Sequence, residues 1–496
     1  MIIKNNPDEI QNYLVDASNF KGNCEAVYIP ENENEISELL KKLNKDKIPV
    51  TISGNGTGLT GARVPQSGVV ISTERLNKII EINEKNEYAV VQPGVILAEF
   101  QNLIKDKNLL YPPDPTEKNC FIGGTVATNA SGEKTFKYGP TRDYVLELNV
   151  VLANGDLIKL HRGDNSAKEK ILSLTSNSKN KFQVELPEIE LHVSKNASGY
   201  YCRNNMDAID LFIGSEGTLG IITEIKLKLV PYPEKIISCL MFFYSESDGL
   251  GFIKEARENS FTNRIAKLDG IDALALEYFD EHALNFLKNE YSLIPDNSKA
   301  AVWFEQEVTN LNEEKILELW TNLIEKHNGN DEDAWFAYSE SDNKKIQQFR
   351  HKISENVNEY ITRNNFRKLG TDTAVPDNKF EEYYYYAKEL MQKEKMNYVI
   401  YGHFGNSHMH LNMLPKNENE FQKGKNLYSE LCKKAVGLGG TVSAEHGIGK
   451  TKHEYLAQMI GIQNIKKMMK IKKTLDPNLI LGAGNMFDMK LFESLD

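Results

Sequence analysis

The sequence predicts an α+β protein of two domains, and three observations lead to this fold class. The first half of the chain is rich in glycine and in short apolar runs typical of strands. Beyond Pro231-Tyr232-Pro233, short strands alternate with charged amphipathic helices. The 496 residues suffice for two domains of ordinary size. We predict a first domain over 1–232, a second over 233–446 and a C-terminal segment over 447–496.

Local patterns predict the elements of the first domain. The spacing of Ile36, Leu39, Leu40 and Leu43 places four apolar side chains on one helical face. Asn154-Gly155 is typical of a two-residue hairpin turn. In chain order, the predicted elements are a helix over 35–45, strands at Ile48–Ser53 and Val69–Thr73, a helix over 95–107, a hairpin over 144–160 and a strand at Gly220–Val230.

The second domain shows a different pattern, in which strands and longer amphipathic helices alternate. This pattern predicts a sheet with helices on one face. Strands are predicted near 237–244, 264–268, 300–307, 333–338 and 398–413, and helices near 311–327, 341–361, 376–394 and 419–436. A lysine-rich helix over 455–474 is predicted in the C-terminal segment, followed by a tail rich in glycine and asparagine.

Composition excludes several classes of protein. Hydrophobic residues make up 40% of the chain and charged residues 26%, which is typical of a globular protein and not of a fibrous or disordered one. The net charge of −11 argues against a nucleic-acid partner, because phosphate binding requires a basic surface. No apolar run is long enough to span a membrane, and the N-terminus lacks the apolar region of a signal peptide. We therefore expect a cytoplasmic protein.

The five cysteines are scattered along the chain and form no CxxC pair. This spacing argues against a disulfide scaffold, a thiolate zinc site and a self-contained iron–sulfur cluster. We expect buried structural thiols instead.

A glycine-dense loop follows the first predicted strand, in the sequence PVTISGNGTGLTGARVP at 49–65. Such a loop exposes backbone N–H groups that can surround a diphosphate. Gly56-x-Gly58-x-x-Gly61 also matches the fingerprint of dinucleotide-binding parallel sheets. That fingerprint must open a helix, however, and the following Ala62-Arg63-Val64-Pro65 has no apolar helical period. We therefore reject the parallel-sheet interpretation.

Two further clusters of small residues strengthen the case for a bound ligand. One consists of PPDPT at 112–116 followed by IGGTVATNASG at 122–132, and the other is GSEGTLG at 214–220. Small residues allow a flat, bulky ligand to lie close to the backbone. Three such clusters together favour a ligand site over a set of tight turns.

These three segments, with KYGPTRDYVLELNVVLANGD at 137–156, resemble the FAD-binding domain of the vanillyl-alcohol oxidase / p-cresol methylhydroxylase (PCMH) superfamily. The second half resembles the branch that contains D-lactate dehydrogenase, the glycolate oxidase flavin subunit and D-2-hydroxyglutarate dehydrogenase. The resemblance covers essentially the whole chain. It implies a PCMH-type FAD-binding domain, a ferredoxin-like α+β substrate domain and a C-terminal segment that returns to the FAD domain.

The resemblance also implies which residues hold FAD. The diphosphate would lie on the first glycine loop, the isoalloxazine and ribityl region on the second cluster, and the adenine half near the third, with one asparagine contributed by the C-terminal segment. In that order, the residues are Gly54, Asn55, Gly56, Thr57 and Gly58; Pro113, Asp114, Gly123, Gly124, Ala127, Asn129 and Gly132; Glu216, Gly217 and Ile221; and Asn485. The first loop contains no histidine or cysteine, so we expect non-covalent FAD.

Histidines are concentrated late in the chain. Residues 402–412 read GHFGNSHMHLN, and residues 443–450 read SAEHGIGK. His408 and His410 alternate on a predicted strand and therefore face the same side. Imidazoles combined with a carboxylate suit zinc or another borderline divalent ion. A single histidine is more often a core or surface group, but His403, His410 and Glu445 together favour a metal site.

The resemblance assigns roles around this site. His403, His410 and Glu445 would bind the divalent ion, expected to be Zn²⁺, and His446 would be the general base. Asn412 would contact the substrate, and Arg350 would clamp its carboxylate with a bidentate guanidinium. His408 replaces a small or amide residue of the family, and it is an additional ligand, an outer hydrogen-bond donor or a neutral replacement. Lys368 is a weaker candidate for binding a second carboxylate.

We therefore expect an FAD-dependent dehydrogenase of a D-2-hydroxy acid, with D-lactate as the leading substrate and glycolate or D-2-hydroxyglutarate behind it. We also expect a homodimer. The resemblance implies an acceptor other than oxygen: a quinone, a cytochrome or an electron-transfer flavoprotein. Contact with a membrane surface stays open. The residues are also compatible with a peroxide-forming oxidase, an ether-lipid synthase and a non-catalytic flavin subunit of a redox complex. Flavin bleaching by a hydroxy acid without an acceptor distinguishes an enzyme from such a subunit.

Overall fold

The computed structural model describes residues 1–495, and it confirms the α+β fold class. Asp496, the last residue of the predicted C-terminal segment, lies outside the described residues. The helices are α1 (Pro7–Ile10), α2 (Glu33–Lys45), α3 (Leu97–Lys105), α4 (Ile122–Thr128), α5 (Thr135–Tyr138), α6 (Ile209–Phe212), α7 (Glu246–Ala266), α8 (Glu281–Leu287), α9 (Glu313–Lys326), α10 (Glu340–Arg363), α11 (Phe380–Lys393), α12 (Glu418–Gly437) and α13 (His453–Leu475).

The amino-terminal half contains two main sheets. The first has the strand order β1-β2-β4-β3, and the second, which is antiparallel, has the order β5-β6-β12-β8-β9. Two smaller pairs join β10 to β11 and β7 to β13. These strands are β1 (Ile2–Lys4), β2 (Ala26–Ile29), β3 (Val50–Ser53), β4 (Val69–Ser72), β5 (Ile79–Asn83), β6 (Tyr88–Val91), β7 (Leu109–Leu110), β8 (Val145–Val151), β9 (Leu157–His161), β10 (Ile171–Thr175), β11 (Lys181–Glu185), β12 (Ile221–Lys228) and β13 (Val230–Pro231).

The predicted elements of this half are confirmed, with small shifts at their ends. The first glycine loop leaves β3 and enters β4 without an intervening helix, which confirms the rejection of the parallel-sheet dinucleotide fingerprint. Strands β3 and β4 are parallel neighbours, so the loop crosses over from the carboxyl end of β3. The second glycine cluster is helical at 122–128, although its two adjacent glycines have low helix propensity.

The later strands form one sheet with the order β17-β14-β16-β15-β20-β21-β18, and β19 pairs separately with β21. These strands are β14 (Lys235–Phe243), β15 (Ala273–Asp280), β16 (Ala300–Val308), β17 (Trp335–Phe336), β18 (Leu369–Gly370), β19 (Thr373–Ala374), β20 (Tyr398–Gly402) and β21 (His408–Met413). Within the described residues, neighbouring strands of this sheet run antiparallel.

Two predictions for this half are wrong. The strand predicted near 264–268 is the end of helix α7, and the central strand β15 was missed. Helix α7 buries the polar residues Arg257 and Ser260 beside apolar ones, so its apolar periodicity is weak. All eight residues of β15 are buried, which removes the alternation that identifies a strand. The predicted strand over 398–413 is in fact two strands, β20 and β21, joined by a tight turn.

The prediction of helices on one face of the sheet is also wrong. Met241 and Phe243 of β14 pack in a core with helices α7, α9 and α11. Leu240 and Phe242, which alternate with them, pack against helices α8 and α10 on the opposite face. Helix periodicity shows which face of a helix is buried, but it does not show which face of a sheet the helix covers.

The C-terminal segment is anchored against the amino-terminal half. Leu481 forms a parallel bridge with Val50 of β3. The buried Nζ of Lys472 donates to the carbonyl oxygens of Thr218 and Leu481 at 2.9 and 2.8 Å and to Oδ2 of Asp476 at 2.9 Å. Within residues 1–495, no helix combines the length and the apolar character needed to cross a bilayer.

Lys472→Met should destabilise the protein by about 3–5 kcal/mol, because it leaves the buried Asp476 carboxylate without its cation. The matched control is Lys473→Met, since Lys473 is the exposed neighbour on the same helix and should change the free energy of unfolding by less than about 0.5 kcal/mol. Urea unfolding of both variants measures the difference. Equal stabilities would show that the buried network does not anchor the C-terminal segment.

Candidate active site

A cavity of about 790 Å³ lies between the glycine-rich loops and the polar end of the eight-stranded sheet. This volume falls within the usual range for small-molecule and cofactor pockets. Its wall includes the first glycine loop, residues of the second and third clusters, and the side chains of Arg350, His410, Glu445 and His446. Residues far apart in sequence therefore meet around one space.

The first glycine loop has a conformation that depends on glycine. Gly56 has a φ of +82°, and a Cβ at this position would lie 2.4 Å from Nη1 of Arg63. That guanidinium nitrogen donates to the carbonyl oxygen of Gly54 at 3.0 Å. The amide of Asn55 donates to the carbonyl oxygen of Asn119 at 2.7 Å, so the loop is tied to the segment that precedes α4. All five predicted residues of this loop line the cavity.

Two adjacent glycines of α4 have different surroundings. A Cβ at Gly123 would lie 2.4 Å from Cβ of Pro93, so this glycine allows close packing inside the protein. A Cβ at Gly124 would meet no protein atom within 4 Å and would enter the cavity. The absence of a side chain at Gly124 therefore leaves space for a ligand rather than for another part of the chain.

Some predicted FAD residues line the cavity and others lie behind its wall. Gly123, Gly124, Ala127, Glu216 and Gly217 belong to the wall together with the first loop. The residues behind the wall are Pro113, Asp114, Asn129, Gly132, Ile221 and Asn485.

Asn485, behind the wall, and Glu216, within it, connect separate parts of the chain. Asn485 donates through Nδ2 to the carbonyl oxygens of Ala62 and Glu216 at 2.9 and 3.0 Å, which links the first and third glycine segments. The Glu216 carboxylate accepts from the backbone N–H groups of Ile448 and Gly449, each at 2.7 Å. Burial raises the pKa of Glu216 to about 7.

The predicted metal ligands converge beside this cavity. His403 follows β20, and His408 and His410 point to one side of β21, as the alternation of the sequence predicted. Nε2 of His403 lies 3.3 Å from Oε1 of Glu445, and Nε2 of His410 lies 3.7 Å from Oε2. His408 joins the same group, and one ligand atom from each of the four residues lies within 4.8 Å of the others.

Glu445 is oriented by two residues of the amino-terminal half. Nζ of Lys195 lies 2.5 Å from Oε1 and also donates to the carbonyl oxygen of Gly132, and Oγ of Ser131 donates to Oε1 at 3.0 Å. Burial alone would raise the pKa of Glu445, but His403 and Lys195 outweigh it and hold the pKa well below its usual value. Glu445 is therefore a carboxylate and can serve as an anionic ligand.

Arg350 lies buried on helix α10 and also lines the cavity. Its Nε donates to Oε2 of Glu277 at 2.7 Å, and Nη1 is buried without a hydrogen-bond partner among the described residues. The other oxygen of Glu277 accepts from Nδ1 of His403 at 2.6 Å. Glu277 thus fixes both the arginine and one histidine of the cluster.

His446 borders the cavity, and Asp372 holds its segment in place. The Asp372 carboxylate accepts from the backbone N–H of His446 at 2.9 Å and from Oγ of Ser443 at 2.6 Å, and it pairs with Nζ of Lys452 at 3.0 Å. Nδ1 of His446 lies 3.4 Å from the same carboxylate. Burial lowers the pKa of His446 to about 4, so the imidazole is neutral near pH 7.

Two other predicted residues reach the cavity. Asn412 on β21 is almost completely buried, and neither atom of its amide has a hydrogen-bond partner among the described residues. Lys368 lines the same wall. Unsatisfied buried amides are costly, so the Asn412 amide is suited to a polar ligand.

Three residues that organise this cluster were not predicted from the sequence. Glu277 is the only charged residue in the apolar and aromatic run ALALEYF at 273–279, and that isolated charge was the available signal. Asp372 stands four residues after Lys368 with no pattern to distinguish it, and its partners come from distant segments. Lys195 lies in VSKNASG, a segment without a regular pattern, and nothing in the sequence indicated its burial.

Two known families match separate parts of the chain. Residues 24–161 match the FAD binding domain family, and residues 259–486 match the C-terminal domain family of FAD linked oxidases. The chain resembles the solved alkyldihydroxyacetonephosphate synthase with a TM-score of 0.65 over 97% of this chain and 82% of that one. At 15% identity, this similarity shows the shared fold alone.

Three curated relatives cover nearly the full chain. Glycolate oxidase subunit GlcD of Bacillus subtilis (strain 168) is 30% identical over 96% of this chain and 92% of its own length. D-lactate dehydrogenase of Anaerostipes hadrus is 29% identical over 94% and 90%, and D-2-hydroxyglutarate dehydrogenase of Stutzerimonas stutzeri (strain A1501) is 28% identical over 93% and 90%. The chain therefore belongs to the FAD-linked oxidase family, as an oxidoreductase of the branch that contains these three proteins.

Proposed function

We propose that this protein is an FAD-dependent dehydrogenase that oxidises a D-2-hydroxy acid, with D-lactate the leading substrate, to the 2-oxo acid. The observation that carries the proposal is the convergence of Arg350, His446 and the His–Glu cluster on the cavity that the glycine loops also line. A 2-hydroxy acid offers a carboxylate to the arginine and a hydroxyl to the histidines. The names of the three relatives support the same class of substrate.

The cavity fits FAD on physical grounds. The backbone at Gly124 faces open space in the cavity, and the glycine loops border one side of the cavity. We propose that FAD is held without a covalent bond, because the first loop has no histidine or cysteine. Cys120 also lines the cavity, but burial raises the pKa of its thiol to about 12, which suppresses the reactive thiolate.

The cluster also fits a divalent ion. His403 and His410 each direct Nε2 toward Glu445, and each has its Nδ1 bound to an oxygen of another residue. This arrangement is typical of ligating histidines, whose second nitrogen is held by a carboxylate or carbonyl group. Two imidazoles and a carboxylate suit zinc, so we propose Zn²⁺ with His403, His410 and Glu445 as ligands.

Each side chain of the site has a separate proposed role. When bound, FAD supplies a hydride acceptor and the divalent ion a Lewis acid. The free Nη1 of Arg350 binds the substrate carboxylate, and Asn412 hydrogen-bonds the substrate and restricts its orientation. Neutral His446 accepts the hydroxyl proton at an imidazole nitrogen, while Asp372 holds its backbone in place.

We propose a domain division at 1–232 and 233–446 with 447–496 returning to the FAD domain, a cytoplasmic homodimer, and transfer of electrons to a quinone, cytochrome or electron-transfer flavoprotein. An anaerobic screen of D-lactate, glycolate and D-2-hydroxyglutarate, read by bleaching of the flavin, tests the substrate class. A flavoprotein that none of these acids bleaches would contradict the proposal.

Gly124→Ala should weaken FAD binding by about tenfold without destabilising the apoprotein. The added methyl group enters the space proposed for FAD, and overpacking costs about 1–3 kcal/mol. Gly123→Ala is the matched comparison, because its methyl group collides with Pro93 and should destabilise the apoprotein itself. Flavin titration and thermal unfolding of both apoproteins measure the two effects. Full FAD affinity in Gly124→Ala would contradict this position for the cofactor.

Arg350→Ala should weaken substrate binding by about 2–4 kcal/mol, the range for removing one partner of a desolvated charged pair. Arg363→Ala, on the exposed end of the same helix, is the control and should leave binding unchanged. Anaerobic flavin reduction at varied substrate concentration gives the apparent affinity, and the flavin spectrum reports an intact cofactor site. A change of less than twofold in Arg350→Ala would exclude the carboxylate clamp.

His410→Ala and His446→Ala should fail in different ways. Loss of His410 removes a ligand, so the ion should be lost and flavin reduction abolished. Loss of His446 removes the base alone, so the ion should stay while reduction slows by about 10²–10⁴-fold. Elemental analysis and stopped-flow reduction of both variants measure these outcomes. Full metal and rate in His410→Ala would disprove the ligand, and a wild-type rate in His446→Ala would disprove the base.

A further inference from the structure

The three clustered histidines share one arrangement of their ring nitrogens. In each ring, one nitrogen lies next to an oxygen outside the cluster, and the other is directed toward Glu445. Nδ1 of His403 contacts Glu277 at 2.6 Å, and Nδ1 of His410 contacts the carbonyl oxygen of Thr371 at 3.1 Å. Such outer contacts fix the ring orientation and leave the inner nitrogen free to bind a metal.

His408 follows the same arrangement with its nitrogens exchanged. Its Nε2 lies 3.1 Å from Oδ1 of Asp372, and its Nδ1 lies 4.0 Å from Oε1 of Glu445. The ring is completely buried, Nε2 faces the Asp372 carboxylate, and Nδ1 has no hydrogen-bond partner among the described residues. A core histidine that only fills space would leave this buried Nδ1 unsatisfied, which is unfavourable.

The distances match a coordination sphere. Metal–nitrogen bonds of about 2.0–2.1 Å in a tetrahedron place neighbouring ligand atoms about 3.3 Å apart. The inner nitrogens of His403, His410 and His408 lie 3.3, 3.7 and 4.0 Å from the nearest oxygen of Glu445. One ligand atom from each of the four residues lies within 4.8 Å of the other three, so shifts of about 1 Å would bring them to bonding distance of one ion. Oε1 is shared with Lys195, whereas Oε2 faces His410.

We propose that His408 is a third imidazole ligand of the divalent ion, bound through Nδ1 and oriented by Asp372. The proposal rests on the metal site of the proposed function and extends it to three imidazoles and one carboxylate. A donor set this rich in nitrogen selects zinc, cobalt, nickel or iron over magnesium and calcium. With His403, His408, His410 and Glu445 as ligands, the ion would still be able to accept a substrate oxygen as a fifth ligand.

The number of bound imidazoles can be counted in the wild-type protein. After replacement of the native ion with Co²⁺, each ligating histidine gives one strongly shifted N–H proton signal in the NMR spectrum, which disappears in D₂O. The outer contacts are buried, so exchange of these protons with water is slow enough for detection. We expect three such signals. Two signals would overturn the proposal, even if no variant can be purified.

His408→Asn tests the assignment and keeps a residue of similar polarity. It should retain FAD, show two shifted signals and lose Co²⁺ to a chelator at least about tenfold faster than the wild type, the lower end of the effect of perturbing groups around a metal. The control His327→Asn removes a histidine paired with Glu255, outside the cluster, and should behave as the wild type. Three signals and an unchanged rate of loss in His408→Asn would overturn the proposal.

This result is separable from the proposed function. Two signals in the wild type, with normal bleaching of the flavin by a 2-hydroxy acid, would exclude His408 as a ligand and leave the dehydrogenase intact. Three signals without bleaching by any 2-hydroxy acid would support the ligand set and contradict the substrate class. A protein that binds no Co²⁺ would overturn the ligand proposal outright.

Discussion

The active-site region depends on the neutralisation of buried carboxylates by buried cations. Each of three acidic side chains is paired at short range with a basic one: Glu277 with Arg350 at 2.7 Å, Glu445 with Lys195 at 2.5 Å, and Asp372 with Lys452 at 3.0 Å. An unpaired charge at a buried position would raise the free energy of the folded protein, and such a carboxylate would usually become protonated. The pairing keeps the carboxylates ionised. The paired cations also oppose the increase that these carboxylates cause in the pKa of neighbouring imidazoles.

Burial and these paired charges together determine the protonation state of the histidines. Burial lowers the pKa of His446 to about 4 and that of His408 to about 3, so both rings are neutral near pH 7. Neutral imidazole is the form that binds a metal or accepts a proton. His403 differs, because Glu277 and Glu445 on its two sides outweigh burial and raise its pKa. The raised pKa means that positive charge on the His403 ring is favoured between these two carboxylates. A divalent ion bound to His403 would supply that positive charge instead of a proton.

The cation–carboxylate pairs also join distant parts of the chain. Lys195 belongs to the half that carries the glycine loops, whereas Glu445 lies 250 residues later beside the proposed base. Asn485 and Glu216 form comparable links between the C-terminal segment and the cavity wall. The space proposed for FAD and the space proposed for the hydroxy acid therefore share supporting contacts, as a reaction between cofactor and substrate requires.

The sequence by itself determined the fold class, the family and most local elements. Glycine spacing near residues 54–58 and 123–124 indicated where the backbone must leave room for a ligand, because a missing side chain is a local property. Alternation predicted that His408 and His410 point to one side of a strand, since this follows from strand geometry alone. The roles given to these residues and the domain limits stay predictions.

The tertiary structure decided what depends on partners distant in sequence. Strand β15 escaped detection because burial on both faces removes its alternation, and the sheet faces covered by the helices depend on packing that no single helix records. The buried charges of Glu277 and Lys195 are stabilised by partners distant in sequence. Glu277 contacts Arg350 and His403, and Lys195 contacts Glu445. Coulombic and hydrogen-bond energies depend on distance in space, so only the folded chain reveals which charges compensate one another.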